Sequence, residues 1–494
     1  MVKKKIISTL FIFVFLSFSL KAQEDTNRVY VNLMNAVQKL KNDPSIKPDH
    51  WGFSFGNADS GKIICGYNTQ KLLIPASTMK IIATATATGI AGPDYRFSTS
   101  LGFSGKIIND TILKGNLIII GNGDPTLGSA YTGRNDSAIF ARWVNAVKTL
   151  GIKVIDGSVI SEARSYEYPA IHPSWNEGDL GNYYGAGIWA LNMKDNAYDI
   201  WFKPSKRVGN PAPIKHIIPD VPCLKIENLV RTGRIGSGDK VNIYTSDNDC
   251  DRICRGTIPA GVDSFCVSGS IPNVPLYCAN ALTNELKKAG ISVLNKPAAW
   301  ISGGTAASAI PPEIIDTVLS PVLSDIIKAT NYYSINVFAE GLFRACGYLQ
   351  YGKGSSRNGT KAVIEYWKKK NIRFSDTCII DGCGLSPKNK ISPLQFFQML
   401  SAIKKESYYY SFFNSLAVSG QTGTLKHVCK GTTAEGRIHA KSGYLKTARA
   451  YAGYIIGKKG TVYSFAIMIN NYSCSASAAR QKMEKLMILM AEFD

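Results

Sequence analysis

At 494 residues the chain is too long for one small module, and about 150 residues per domain sets an expectation of roughly three domains. Hydrophobic residues make up 45% and charged residues 19%, which excludes a disordered chain and a polytopic membrane protein. Lys and Arg outnumber Asp and Glu by 57 to 36, a net charge of +21, so polyanionic partners come first to mind.

Lys3, Lys4 and Lys5 precede an apolar run from Ile6 to Leu20, and Leu20-Lys21-Ala22 ends on the small residue that a signal peptidase requires. Met1–Ala22 therefore reads as a cleaved secretory signal. The run is shorter than the ~20 residues of a spanning helix, so no membrane anchor is expected, and with Gln23 in place of Cys no lipid attachment is expected at the cut. Four lysines leave with the signal, giving +17 on 472 mature residues. For an exported protein that charge points to polyanionic envelope material and to no nucleic acid.

Thr26 to Lys41 reads as a helix, with Val29, Leu33, Ala36 and Leu40 three to four apart. Trp51, Phe53 and Phe55 alternate, Asp59-Ser60-Gly61 turns, and Lys62 to Tyr67 returns, the pattern of a hairpin. Pro75 opens an apolar helical stretch through Ile82. From Tyr95 the texture changes to short strands, including Leu117-Ile118-Ile119-Ile120 before Gly121-Asn122-Gly123-Asp124-Pro125. A helix with Phe140, Trp143, Val144 and Val147 on one face precedes one strand from Lys153 to Ile160. Between Glu162 and Val262 short strands, Pro and Gly mark an insertion of its own.

Asn280 to Ala289 is helical, and from Thr317 helices dominate: Val322 to Ala329, Tyr332 to Cys346, Thr360 to Lys370 and Pro393 to Lys404. Strands follow at Arg437 to Lys441, Ala450 to Ile456 and Val462 to Ile469. A helix with Ala479, Met483, Leu486, Met487 and Met490 on one face closes the chain. This order allows the two ends to share one sheet. Eleven cysteines in an exported chain leave at least one without an intrachain partner; one or two disulfides are expected among Cys250, Cys254, Cys266 and Cys278. The five histidines form no H-E-x-x-H, so a metallopeptidase is not expected, and no metal or cofactor is called for.

Three short motifs carry chemistry. Ile74-Pro75-Ala76-Ser77-Thr78-Met79-Lys80 holds an S-x-x-K at a helix start, where i and i+3 share a face and the helix dipole favours an oxyanion. Tyr333-Ser334-Ile335-Asn336 is an S-x-N in a helical region, and His439-Ala440-Lys441-Ser442-Gly443 is a K-[ST]-G on a strand. Each match alone has an ordinary explanation as a cap, a turn or a solvated lysine. All three in this order, each on the element its task requires, match the set of penicillin-binding proteins and β-lactamases.

The chain resembles the class C low-molecular-mass penicillin-binding proteins, the D-alanyl-D-alanine carboxypeptidase/endopeptidases of bacterial cell walls. Besides the motifs, the resemblance rests on Gly121-Asn122-Gly123-Asp124-Pro125, Gly256-Thr257-Ile258-Pro259 and Asp381-Gly382-Cys383-Gly384-Leu385-Ser386. It rests also on the spacing of 257 positions from Ser77 to Ser334, far more than in β-lactamases. Ser442 in place of threonine, the bulky Tyr444 and the apolar Ile335 depart from the common pattern.

The resemblance implies an α/β (α+β) fold: a serine transpeptidase/β-lactamase-like domain with an antiparallel sheet and helices, interrupted by inserted strand-rich domains. The catalytic domain would take residues 23–94 and 307–494, a second domain 95–161 and 263–306, and a third, nested domain 162–262. It implies peptidoglycan peptides as substrates, β-lactam antibiotics as covalent inhibitors, and a periplasmic or secreted location.

A serine hydroxyl needs a base, and an amine serves only when neutral; burial and the Lys441 charge would lower Lys80. Ser77 is thus the expected nucleophile and Lys80 the base. Ser334 relays the proton to the leaving D-alanine and Asn336 holds the acyl-side amide. Lys441 and Ser442 grip the terminal carboxylate beside Gly443, and the Ser77 and Tyr444 N–H groups form the oxyanion hole.

Two other functions compete: a β-lactamase, though no glutamate motif lies between Ser334 and Lys441 beyond the unassigned Glu340 and Glu365, and a non-catalytic wall-binding or penicillin-sensing protein. Gly52-Phe53-Ser54-Phe55-Gly56 matches G-x-S-x-G, but that elbow needs strand, turn and helix, whereas Ser54 is expected inside a strand.

Overall fold

Trp51, Phe53 and Phe55 alternate because their strand is buried on the face that receives them, and they sit in a mixed α/β chain of two units. The computed structural model describes residues 27–245, 250–301, 311–374 and 376–494; the expected signal, Met1–Ala22, lies outside them. One unit comprises Met1–Thr78, Lys368–Cys378 and Asn389–Asp494, the other Met79–Trp367 and Ile379–Lys388.

The first unit is built on a six-stranded sheet in the order Ala417–Val418, Ile438–Leu445, Ala448–Ile456, Val462–Asn470, Trp51–Asn57, Ile63–Tyr67. Every pairing is antiparallel. The two ends of the chain do share it: Trp51 lies opposite Ile469 and Asn57 opposite Tyr463. Strand side chains alternate between faces. Tyr454 and Ser464 point to the helix Pro393–Ile403, bonding the Leu400 carbonyl and Ser401 at 2.8 Å each. Phe465, Ile467 and Ile455 point oppositely, into a core with Leu33, Val37 and Leu40 of the helix 27–41 and Met483, Leu486, Met487 and Met490 of the helix Ala476–Ala491. Ser54 lies within its strand and is fully buried, so the G-x-S-x-G match is not a nucleophile elbow.

The second unit surrounds the helix Met79–Ala91, whose residues Met79 to Thr88 are all buried. A helix apolar on every side belongs at the centre of a core. Its threonines hide their hydroxyls by bonding back one turn, Thr84 to the Lys80 carbonyl (2.6 Å) and Thr88 to the Thr84 carbonyl (2.8 Å). It packs on the helices Asn336–Tyr351 and Leu323–Tyr333. Four further sheets complete the unit, of five, four, three and three strands.

Four local expectations need correction. The strand expected from Lys153 to Ile160 is two, Val154–Asp156 and Val159–Glu162, because the chain turns at Gly157, where a Cβ would meet the Gly115 carbonyl at 1.9 Å. The helix expected from Asn280 begins at Val274, capped by Asn273 Oδ1, which accepts from Leu276 N at 3.0 Å. The helix expected from Tyr332 to Cys346 is broken at Ser334. The cysteine cluster does not pair internally either: Cys250 bonds Cys223, while Cys254, Cys266 and Cys278 are free, each on a different element.

Candidate active site

The motif residues fall in both units, and each unit organises its own set. In the first, Ser77 sits half-buried in the 3-10 turn Ala76–Thr78. The turn is held from both sides. Asn470 Oδ1 accepts from Ile74 N (2.7 Å) and Asn470 Nδ2 donates to the Ile74 carbonyl (3.1 Å), while Thr78 Oγ1 donates to the Pro75 carbonyl at 2.7 Å. Ala76 has a φ of 49°, a left-handed conformation unfavourable for a residue with a Cβ, so the position of Ser77 is held at some cost in backbone strain.

Against this turn runs the strand Ile438–Leu445. A Cβ on Gly443 would stand 2.5 Å from the Pro75 carbonyl and 3.1 Å from Ser77 N, so only glycine permits the approach. Lys441 is fully buried, an uncommon place for a lysine, and its Nζ donates to the Ser442 carbonyl at 2.7 Å. Ser442 Oγ donates to Thr424 Oγ1 at 2.8 Å. Tyr444 turns outward, 56% exposed, with the Arg449 guanidinium 5.1 Å from its ring centre.

In the second unit Lys80 is wholly buried at the start of its helix. Its Nζ donates to Asn336 Oδ1 (2.6 Å) and to the Cys383 carbonyl (2.7 Å). Burial pulls the amine down to about 8, against the opposing pull of Cys383, Asp381 and Glu340. A neutral amine has two hydrogens to donate, and two acceptors, Asn336 Oδ1 and the Cys383 carbonyl, lie within reach of Nζ. Asn336 opens the helix Asn336–Tyr351 and donates through Nδ2 to the Tyr184 carbonyl at 2.7 Å. Ser334 stands two residues earlier at the end of the helix Leu323–Tyr333, with φ 63° and ψ 39°.

The Cys383 carbonyl is itself fixed. Asp381, fully buried, accepts from Trp175 Nε1 (2.8 Å), Gly384 N (2.7 Å) and Ser386 N (2.7 Å). Glu340 accepts from Gly382 N at 2.7 Å and lies 3.4 Å from Arg344; burial pushes its carboxyl up to about 7. Glu340, Asp381 and Cys383 form the group of carboxylates and thiol that most resembles a metal set among the described residues. Their oxygens are instead engaged by backbone N–H groups, tryptophan and arginine, which accounts for the cluster as a loop clamp.

The structure thus brings Ser77 and Gly443 together in one unit and Lys80, Asn336 and the Asp381–Ser386 loop together in the other. Sequence reasoning missed Thr424, the Tyr184 carbonyl and the supporting part of Glu340. No local pattern marks them, since their partners lie far along the chain.

Comparison with known proteins gives a consistent picture. The model of the D-Ala-D-Ala carboxypeptidase 3 (S13) family matches residues 33–493. The D-alanyl-D-alanine carboxypeptidase DacB of Haemophilus influenzae is 25% identical over 465 residues, 92% of this chain and 91% of its own. A D-alanyl-D-alanine carboxypeptidase of Actinomadura sp. is 24% identical over 491 residues, 93% of this chain and 85% of its own. Among solved structures, penicillin binding protein 4 from Haemophilus influenzae superposes with a TM-score of 0.78 at 23% identity, covering 94% of this chain and 100% of that one.

Proposed function

The chain belongs to the D-Ala-D-Ala carboxypeptidase 3 (S13) family of serine-type carboxypeptidases, and on that premise we propose that it cleaves peptidoglycan stem peptides through an acyl-enzyme on Ser77. The observation that carries the assignment of roles is Lys80: buried, lowered to about 8, and with two acceptors within reach of its Nζ.

Lys80 takes the Ser77 proton as Ser77 Oγ attacks the carbonyl carbon of the penultimate D-alanine. The Ser77 and Tyr444 N–H groups receive the oxyanion. Ser334 passes the proton to the departing D-alanine nitrogen, and the C–N bond breaks. Lys441 and Ser442 take the terminal carboxylate, while Asn336 orients Lys80 and offers Nδ2 to the acyl-side amide. Water then releases the shortened peptide. The same route acylates Ser77 with a β-lactam, whose ring carbonyl stands in for the scissile amide. The balance of carboxypeptidase and endopeptidase action belongs to this proposal too.

The Cys223–Cys250 disulfide supports an exported, oxidising location such as the periplasm, as does the signal-like segment Met1–Ala22. Among the described residues no helix is long and apolar enough to cross a membrane. For the nested division of the chain, support comes from strand pairing. Strands between Ser98 and Glu162 share two sheets with strands between Ser292 and Leu319, while those between Ala197 and Ser270 pair among themselves. The strand Glu313–Leu319 joins the first group, past the 306 boundary drawn from sequence.

A fluorescent penicillin tests the reading. Covalent label on Ser77, lost in Ser77→Ala, with D-alanine released from D-Ala-D-Ala peptides, is the expected result; label on Ser54 would overturn it. A β-lactamase would shed the adduct within seconds. Glu340, held by Gly382 and Arg344, and Glu365, accepting from the Tyr351 hydroxyl at 2.6 Å, are both committed elsewhere, so the adduct is expected to persist for minutes or longer.

A further inference from the structure

The residue before Ser334 belongs to a pocket that the proposed chemistry leaves unused. Tyr333 is 54% exposed and Tyr131 47%, and together with Thr132, Pro321, Asp325, Lys328, Ala329 and Tyr332 they line a cavity of about 530 Å³. That lies within the roughly 300–1,000 Å³ of small-molecule sites. The cavity is prebuilt. Ser129 Oγ accepts from Tyr131 N at 3.3 Å, and Arg134, two residues past the short helix Ala130–Thr132, pairs at 2.8 Å with the buried Asp124.

We propose that this pocket binds an N-acetylated amino sugar of the glycan strand that carries the scissile peptide, a reading that rests on the function proposed above. Aromatic faces left open to solvent beside hydrogen-bonding side chains suit a ligand with both apolar faces and hydroxyls. The Tyr131 and Tyr333 ring centres are 5.2 Å apart at 46°, and Tyr332 meets Tyr333 edge-on at 4.7 Å and 70°. Inserting a flat ring between two aromatic planes needs about 7 Å, twice the van der Waals separation of carbon atoms. The pair therefore offers a bent platform on which a puckered ring lies, and no slot for a planar base.

Asp325 and Lys328, both exposed and one turn apart on the helix Leu323–Tyr333, supply an acceptor and a donor for hydroxyl and acetamido groups. Their charges cancel, as suits a neutral sugar. The tether fits: a stem of five residues spans at most about 17 Å, and Tyr333 is joined directly to Ser334. A sugar seated here would hold its own peptide near the reacting groups at high local concentration.

The full-length mature protein is assayed on one D-Ala-D-Ala stem pentapeptide, free and attached to its N-acetylated disaccharide. The attached form is expected to show a KM about tenfold lower, the size of effect a second contact on a short tether readily gives. Tyr131→Ala, and independently Asp325→Ala, should bring the ratio of the two KM values toward one, while Tyr131→Phe keeps it. A ratio of one in the unaltered protein, or variants that weaken both substrates equally, would overturn the sugar site. Penicillin labelling of the same preparations separates the two ideas: labelled Ser77 with no sugar preference removes only this inference, whereas unlabelled Ser77 removes the catalytic reading.

Discussion

Lys80 is a lysine that gives up its proton more readily than usual because of the surroundings it was folded into. Its amine, normally near 10.5, is brought down to about 8 by burial. In the proposed role the neutral form is the base, so acylation by penicillin is expected to rise with pH, about tenfold per unit below 8, and to level off above it; a flat profile between pH 6 and 9 would contradict the role. Stability runs in the same direction. A lysine whose folded value is depressed resists folding while charged, so its contribution improves as pH climbs from about 8 toward the ordinary value. Glu340 supplies a second reading of the same site. Its charge raises Lys80, and at about pH 8, where the limb levels off, its carboxyl, near 7, is mostly ionised. Glu340→Gln keeps an oxygen for Gly382 N and removes the charge, so the limb should move to lower pH; an unmoved limb would show that Glu340 acts through packing alone.

Between two helices, Ser334 occupies a conformation that glycine prefers. A left-handed residue with a Cβ costs about 1–2 kcal/mol, so Ser334→Gly should be the more stable of the pair Ser334→Gly and Ser334→Ala by about 1 kcal/mol, in urea unfolding. Both should lose acylation rate, because neither has a hydroxyl. Such a trade of stability for geometry is common at catalytic positions. Gly443 makes the complementary case on a strand: Gly443→Ala places a methyl 2.5 Å from the Pro75 carbonyl, so a loss of about 1–3 kcal/mol and slower labelling of Ser77 are expected. Undiminished labelling would mean that the strand can retreat without consequence. These elements also show what a sequence displays. Ser77 and Lys80, Ser334 and Asn336, and Lys441 to Gly443 are visible because each group lies within a few residues and the chemistry dictates the spacing. The break at Ser334 is hidden because serine does not announce a positive φ. The Cys383 and Tyr184 carbonyls are hidden because any residue has one, and the fold alone carries them to Lys80 and Asn336, 303 and 152 positions away. The Cys223 disulfide is hidden for the same reason, since pairing depends on which loops the fold brings close.

At the scale of the whole molecule, the terminal segments were legible as partners because a hairpin at one end and three strands at the other each lacked a complete sheet. Their register, Trp51 against Ile469, required the structure. A chain ending before Val462 would leave Trp51–Asn57 with only one of its two neighbours, so a truncation there should aggregate and take no penicillin, as gel filtration and labelling would show; a soluble, labelled truncation would deny the sheet its importance. The same topology sets an order of events in the cell. A chain appears N-terminus first, at about 5–20 residues per second. Ser77 is thus made tens of seconds before the Gly443 strand that it faces, and Val462–Asn470, which pairs with the Trp51–Asn57 strand of the N-terminal hairpin, is the last strand to emerge among the described residues. During that interval the proposed nucleophile exists as a residue but not as a reagent. On the proposed function the chain is then its own timer: a half-finished copy, or a fragment lacking the C-terminal strands, is expected to take no penicillin.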